Sequence, residues 1–184
     1  MKGEGKFSSA TYLNSVLRTF EQMPLAARIE KGVFCAHAGI GTAFAQCLNP
    51  QALIARRQLP TRVEFRDPLC ELLWADPAEP LQVPLEKSER AERPETPERI
   101  EQIEKKRVLF DRAALEVFMK RTNVHLFVRT HQLPEEGFEY LWDHQLLTLF
   151  SASNFCGMNN VAAVAEFRAE FEYPKIFVRV HNSC

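Results

Sequence analysis

Apolar and polar residues follow two periods along this chain, and the period changes at prolines and glycines. Leu13, Val16, Leu17 and Phe20 recur at helical spacing, which predicts an amphipathic helix over residues 11–23. Pro24 ends it, because proline lacks an amide donor and does not fit inside a helix. Residues 25–29 continue as an apolar run toward the next element. Past a Lys-Gly turn, Val33, Phe34, Cys35 and Ala36 form a short run whose length and side chains favour a buried strand. It delivers His37, followed by Ala38, Gly39, Ile40 and Gly41. Strand ends fix side chains rigidly, and glycine lets backbone or ligand come close.

Further along, Pro50 sits in the first turn of a predicted short helix over residues 50–57. Another is predicted over residues 67–74, with Asp67 as cap, Pro68 at the first helical position and Asp76-Pro77 closing it. Between residues 78 and 106 prolines and alternating charges dominate, which predicts a solvated insert with some helical tendency over 97–106. Residues 111–122 read as a helix capped by Asp111, with Leu115, Phe118 and Met119 inward. A strand over residues 124–129 delivers a second histidine, His131. Residues 146–150 read as a third buried strand. Residues 161–167 and 175–180 read as an antiparallel pair with one wet face. Trp74 is expected in the core, Asp67 and Asp76 as caps, and Arg129 as an ion-pair partner. Cys35 and Cys70 are expected to be buried small hydrophobes.

Composition narrows the class. A chain of 184 residues suffices for one domain with a real core, and 14 Phe point to packed layers rather than disorder. A net charge of −1 gives no electrostatic case for nucleic acid or an anionic membrane surface. No apolar run reaches the roughly 20 residues that span a bilayer, and residues 1–9 hold no signal-like apolar segment. The 5 cysteines contain no CxxC pair and leave one over, which fits reduced thiols in the cytoplasm or nucleus.

Two histidines past two buried strands are, taken singly, more often structural than metal-binding. The words around them change that. Residues 20–29 read FEQMPLAARI, 33–40 VFCAHAGI, 71–77 ELLWADP, 128–132 VRTHQ (with Gly137 and Glu139 following) and 147–160 LTLFSASNFCGMNN. In this order the five words resemble the phosphoprotein phosphatases of the type-1, type-2A and calcineurin group, over most of the chain. The resemblance implies the family's four-layer α/β/β/α sandwich. It also implies hydrolysis of phosphoserine and phosphothreonine by hydroxide activated between two divalent ions (Mn, Fe or Zn), with phosphoproteins as substrates and regulatory subunits as partners. Residue by residue, it carries His37 and His131 over as ligands of one metal and places Phe155 beside the phosphate, in a loop over residues 151–157.

The departures from the family pattern matter as much. The words GDxHG, GDxxDRG and GNHE do not occur in the sequence. In the family they supply the other metal ligands, a phosphate-gripping Arg and the acid His. The chain is therefore expected to be the C-terminal half of such a domain, spanning residues 1–184 with the insert at about 78–106. It is expected to bind metal weakly, to be inactive alone and to expose apolar surface and sheet edges. Ala38 stands where the family has Gly, and Phe155 where it has Tyr. Arg107 is the nearest match to a phosphate-contacting Arg, but Val108 follows it where the family has Gly, and a solvated helix-end charge is its plainer reading. Two alternatives remain: a non-catalytic phosphatase-like binding protein, and a small-metabolite phosphohydrolase of the same superfamily.

Overall fold

In a computed structural model of the chain, the described residues are 9–29, 32–47, 49–56, 63, 67–78, 108–168 and 173–179. The helices are α1 (Ser9–Glu21), α2 (Thr42–Gln46), α3 (Pro50–Ala55), α4 (Glu71–Trp74) and α5 (Arg112–Thr122). The strands are β1 (Ala26–Ile29), β2 (Val33–Ala36), β3 (Asp76–Pro77), β4 (Leu109–Phe110), β5 (Leu126–Arg129), β6 (Phe138–Leu141), β7 (Leu146–Leu149), β8 (Ala162–Glu166) and β9 (Lys175–Arg179). Short 3₁₀ turns lie at Pro68–Cys70 and Phe155–Gly157.

Five strands form one mixed sheet in the order β1-β2-β5-β7-β6. The centre is parallel, β2 with β5 and β5 with β7, and the two outer pairs are antiparallel. All four residues of β5 are buried, the reason its first three are apolar without alternation before Arg129 ends it. The pleat divides the side chains between two cores. Phe34 and Phe127 face α2 and α5, where Phe118 meets Phe34 edge-on at 5.0 Å and lies 5.8 Å from Phe44. Val33, Leu126, Val128 and Leu147 face the other way, against Ala165 of β8 and Ile176 of β9. A helical layer thus covers one face of the sheet, and the β8–β9 ribbon covers part of the other. The expected antiparallel pairing of that ribbon is present, with Val164 opposite Phe177.

Local chemistry closes the helix ends where the sequence places it. The Asp111 carboxylate accepts from the Ala114 amide at 2.8 Å, and the Asp67 carboxylate from Leu69 at 3.0 Å. At the far end of α5, Asn123 turns left-handed (φ 52°), and Arg28 of β1 donates to the carbonyls of Thr122 and Asn123. The Glu71 carboxylate accepts from the Phe44 amide at 2.8 Å and so caps α2 from outside.

Several expectations need correction. Trp74 is 61% exposed rather than core, because α4 is a single turn and Leu72, on its opposite side, faces inward. Asp76 is not a cap; it is a buried residue of β3, paired with Leu109 in a short parallel ribbon. Cys70 is buried as expected, whereas Cys35 is half-buried. Elements α2, β3, β4 and β6 have no counterpart in the sequence reading, being short and without a clear period. The apolar side of α1 is largely uncovered, with Leu13, Leu17 and Phe20 all exposed. A groove of about 1130 Å³ runs between α1 and the β1–β2 edge, lined among others by Leu17, Phe20, Ala36, His37 and Leu73. Apart from Ala78, the insert expected at 78–106 lies outside the described residues. No helix among the described residues is long and apolar enough to cross a membrane.

Candidate metal centre

His37 follows β2 and His131 lies two residues past β5, its parallel neighbour in the sheet. Parallel pairing brings both strands' C-terminal ends to one edge, so two side chains 94 positions apart in sequence meet there. His37 Nε2 and His131 Nδ1 stand 3.2 Å apart, with their rings edge-on at 5.1 Å between centroids. The Thr130 amide donates to the His37 carbonyl at 3.0 Å and extends the ladder to the site itself.

His131 owes its orientation to an unusual backbone. Its φ is 69°, and the Gln132 amide donates across it to the Thr130 carbonyl at 2.8 Å. That is a γ-turn with positive φ, which a residue bearing a side chain adopts only at an energetic cost. Opposite the facing nitrogens, His131 Nε2 points toward Asp76 Oδ1 at 3.9 Å. Trp74 stands edge-on to the same ring at 5.8 Å.

Behind the histidines lies Arg129, whose side chain is fully buried. Its guanidinium donates to three acceptors: Nε to the Ala38 carbonyl at 2.6 Å, one terminal nitrogen to Gln132 Oε1 at 2.5 Å, and the other to Asp76 Oδ1 at 2.9 Å. Burial pulls its pKa down to about 10 against the opposing pull of Asp76, so it remains charged near neutrality. The His37 pKa is lowered, by burial and then by the Arg129 charge. Both effects favour the neutral imidazole, the form that ligates metal.

The pair fits a divalent ion. Imidazole nitrogens bind Zn²⁺ at about 2.0–2.1 Å, so two of them 3.2 Å apart subtend roughly 100° at a shared ion. Among the described residues, no third His, Cys, Asp or Glu joins them in one cluster.

Phe155 lies on a different loop. It is 48% exposed and packs edge-on against Phe150 at 5.2 Å. That loop is built on Asn160, whose side chain accepts from the Phe155 amide and donates to the Ala152 and Val161 carbonyls. Arg107 lies outside the described residues. Sequence reasoning paired His37 with His131 but missed Asp76 as a participant. The available signal was Arg129 itself, a cation ending an apolar strand, since a charge buried there needs an acidic partner.

The family model described as calcineurin-like phosphoesterase matches residues 2–135, which include both histidines, Asp76 and Arg129. The chain belongs to the calcineurin-like phosphoesterase family. Members of this family usually use divalent metals, in keeping with a pair of facing imidazoles. Among solved structures, the chain is similar to a protein serine/threonine phosphatase from Saccharomyces cerevisiae with similarity to human phosphatase PP5, at TM-score 0.65 and 23% identity. The match covers 97% of this chain and 53% of that one, so the calcineurin-like chain spans about half the length of its structural neighbour. At that identity the likeness concerns the fold, a mixed α/β metallophosphatase arrangement with a central mixed sheet.

Proposed function

We propose that this chain is the later part of a serine/threonine protein phosphatase catalytic domain, in which His37 and His131 hold one of two divalent ions. The observation that carries the reading is the meeting of the two imidazoles at 3.2 Å, at the ends of neighbouring parallel strands. The words at residues 71–77 and 147–160 favour phosphoserine and phosphothreonine in proteins over small metabolites. A bound divalent ion would supply Lewis-acid stabilisation of phosphoryl oxygens and an activated water. The chain's own residues orient the ion's ligands, and Phe155 offers an apolar flank to the substrate. Carboxylate ligands and a general acid would come from polypeptide bearing the GDxHG, GDxxDRG and GNHE words.

The test uses p-nitrophenyl phosphate and a phosphoserine peptide with added Mn²⁺. The chain alone is expected to give background hydrolysis. Joined in frame to a segment carrying the three words, it is expected to turn over both, and His131→Ala in that fusion to abolish turnover. Robust Mn²⁺-dependent turnover by the isolated chain, lost in His131→Ala, would overturn the inactivity of the chain alone. A fusion that folds, binds metal and remains inert would overturn the phosphatase reading in favour of a non-catalytic binding protein.

A further inference from the structure

We infer that Arg129 and Asp76 form a positioning clamp, which sets the separation of the two imidazoles and fixes which nitrogen of His131 carries the proton. This rests on the metal-binding reading above and extends it to residues that touch neither metal nor substrate. Arg129 reaches both histidine-bearing turns at once. Its Nε bonds the carbonyl of Ala38, next to His37, and a terminal nitrogen bonds Gln132, next to His131. The positive-φ γ-turn at His131 is therefore held between Thr130, tied to the His37 carbonyl, and Gln132, tied to Arg129. A planar guanidinium with fixed donor directions suits three acceptors in different directions; an ammonium on a flexible stem does not.

Asp76 supplies the second half of the device. Arg129 anchors its Oδ1 at 2.9 Å, and the same oxygen lies 3.9 Å from His131 Nε2, the ring nitrogen that does not face His37. A carboxylate facing Nε2 favours the tautomer with the proton on Nε2. Nδ1 is then left with its lone pair toward His37, the arrangement a ligating nitrogen needs. In the metal-free chain the same tautomer lets His37 Nε2–H donate to His131 Nδ1 across the 3.2 Å gap.

The clamp is tested on the whole chain, above the imidazole titration range, by two readouts independent of turnover. One is the ring ¹⁵N shift pattern of His131, which reports its tautomer; the other is Co²⁺ affinity from the absorption spectrum. Wild type is expected to carry the His131 proton on Nε2. Asp76→Asn is expected to mix the tautomers. Arg129→Lys and Gln132→Ala are expected to average the His131 ring signals. Each variant is expected to weaken Co²⁺ binding by about 10–100-fold, the usual effect of removing a ligand's support. If Arg129→Lys does not fold, Asp76→Asn and Gln132→Ala carry the test, since neither deletes the buried guanidinium. A wild-type His131 protonated on Nδ1, or Asp76→Asn and Gln132→Ala with unchanged tautomer and Co²⁺ affinity, would overturn the clamp. Wild type and His131→Ala binding Co²⁺ equally, while the tautomer still responds to Asp76→Asn, would instead sink the metal reading and leave the clamp standing.

Discussion

Gly39, two residues after His37, packs against Phe110 and the Ala75 carbonyl, and there is no room for a side chain on it. A Cβ at that position would lie 2.2 Å from the Phe110 ring and 2.7 Å from the Ala75 carbonyl. Phe110 is itself held by Trp142, edge-on at 5.6 Å, so the ring cannot swing aside freely. Gly39→Ala should therefore cost about 1–3 kcal/mol, read as a lower urea midpoint at unchanged slope. Trp74 is the opposite case. With most of its surface exposed, Trp74→Ala should change stability by less than about 0.5 kcal/mol while shifting the His131 ring resonances. The thiols divide in the same way. Burial raises the pKa of Cys35, and burial followed by the Glu71 charge raises that of Cys70, whereas Cys156 is exposed. Because the thiolate is the nucleophile, peptide mapping after brief iodoacetamide treatment at mildly alkaline pH should find Cys156 labelled well before Cys35 and Cys70.

The loop over residues 151–160 owes its shape to four left-handed residues (Asn154, Cys156, Gly157 and Asn159) and to one buried amide, that of Asn160. Asn160 satisfies its own acceptor and both donors within that loop and its exit, and its backbone carbonyl accepts from the Asn154 amide at 2.9 Å. Asn160→Ala leaves the Phe155 amide and two carbonyls without these partners, at about 1–3 kcal/mol for each that stays buried. Faster amide exchange at Asn154 and Phe155, with the sheet's protection intact, is the expected signature. Asn160→Asp should be worse than Asn160→Ala, because it sets a carboxylate against the carbonyls of Ala152 and Val161. Wild-type protection in both variants would show that the loop does not depend on this residue.

Across the whole molecule, the feature that stands out is the exposed apolar side of α1, part of which lines the same groove as His37. Leu13 and Phe20 are 56% and 59% exposed, so little burial is lost when they become polar. Leu13→Ser with Phe20→Ser should leave the unfolding free energy within about 1 kcal/mol of wild type and lower the binding of an apolar dye such as ANS. A large loss of stability would mean that this side is covered in solution. The sequence alone settled the elements whose cause is local. The 3.6-residue period and the Asp111 cap specify α5, and short, mainly apolar runs specify β2, β5 and β7 as buried strands. The order of the five words likewise pointed to the calcineurin-like family and paired His37 with His131. Tertiary structure alone decided what depends on long-range partners. The direction in which α1 faces, the exposure of Trp74 and the short ribbon of β3 with β4 follow from packing that no local pattern encodes. So does the role of Asp76, because a carboxylate beside a proline reads as a cap until a buried cation from a distant strand meets it.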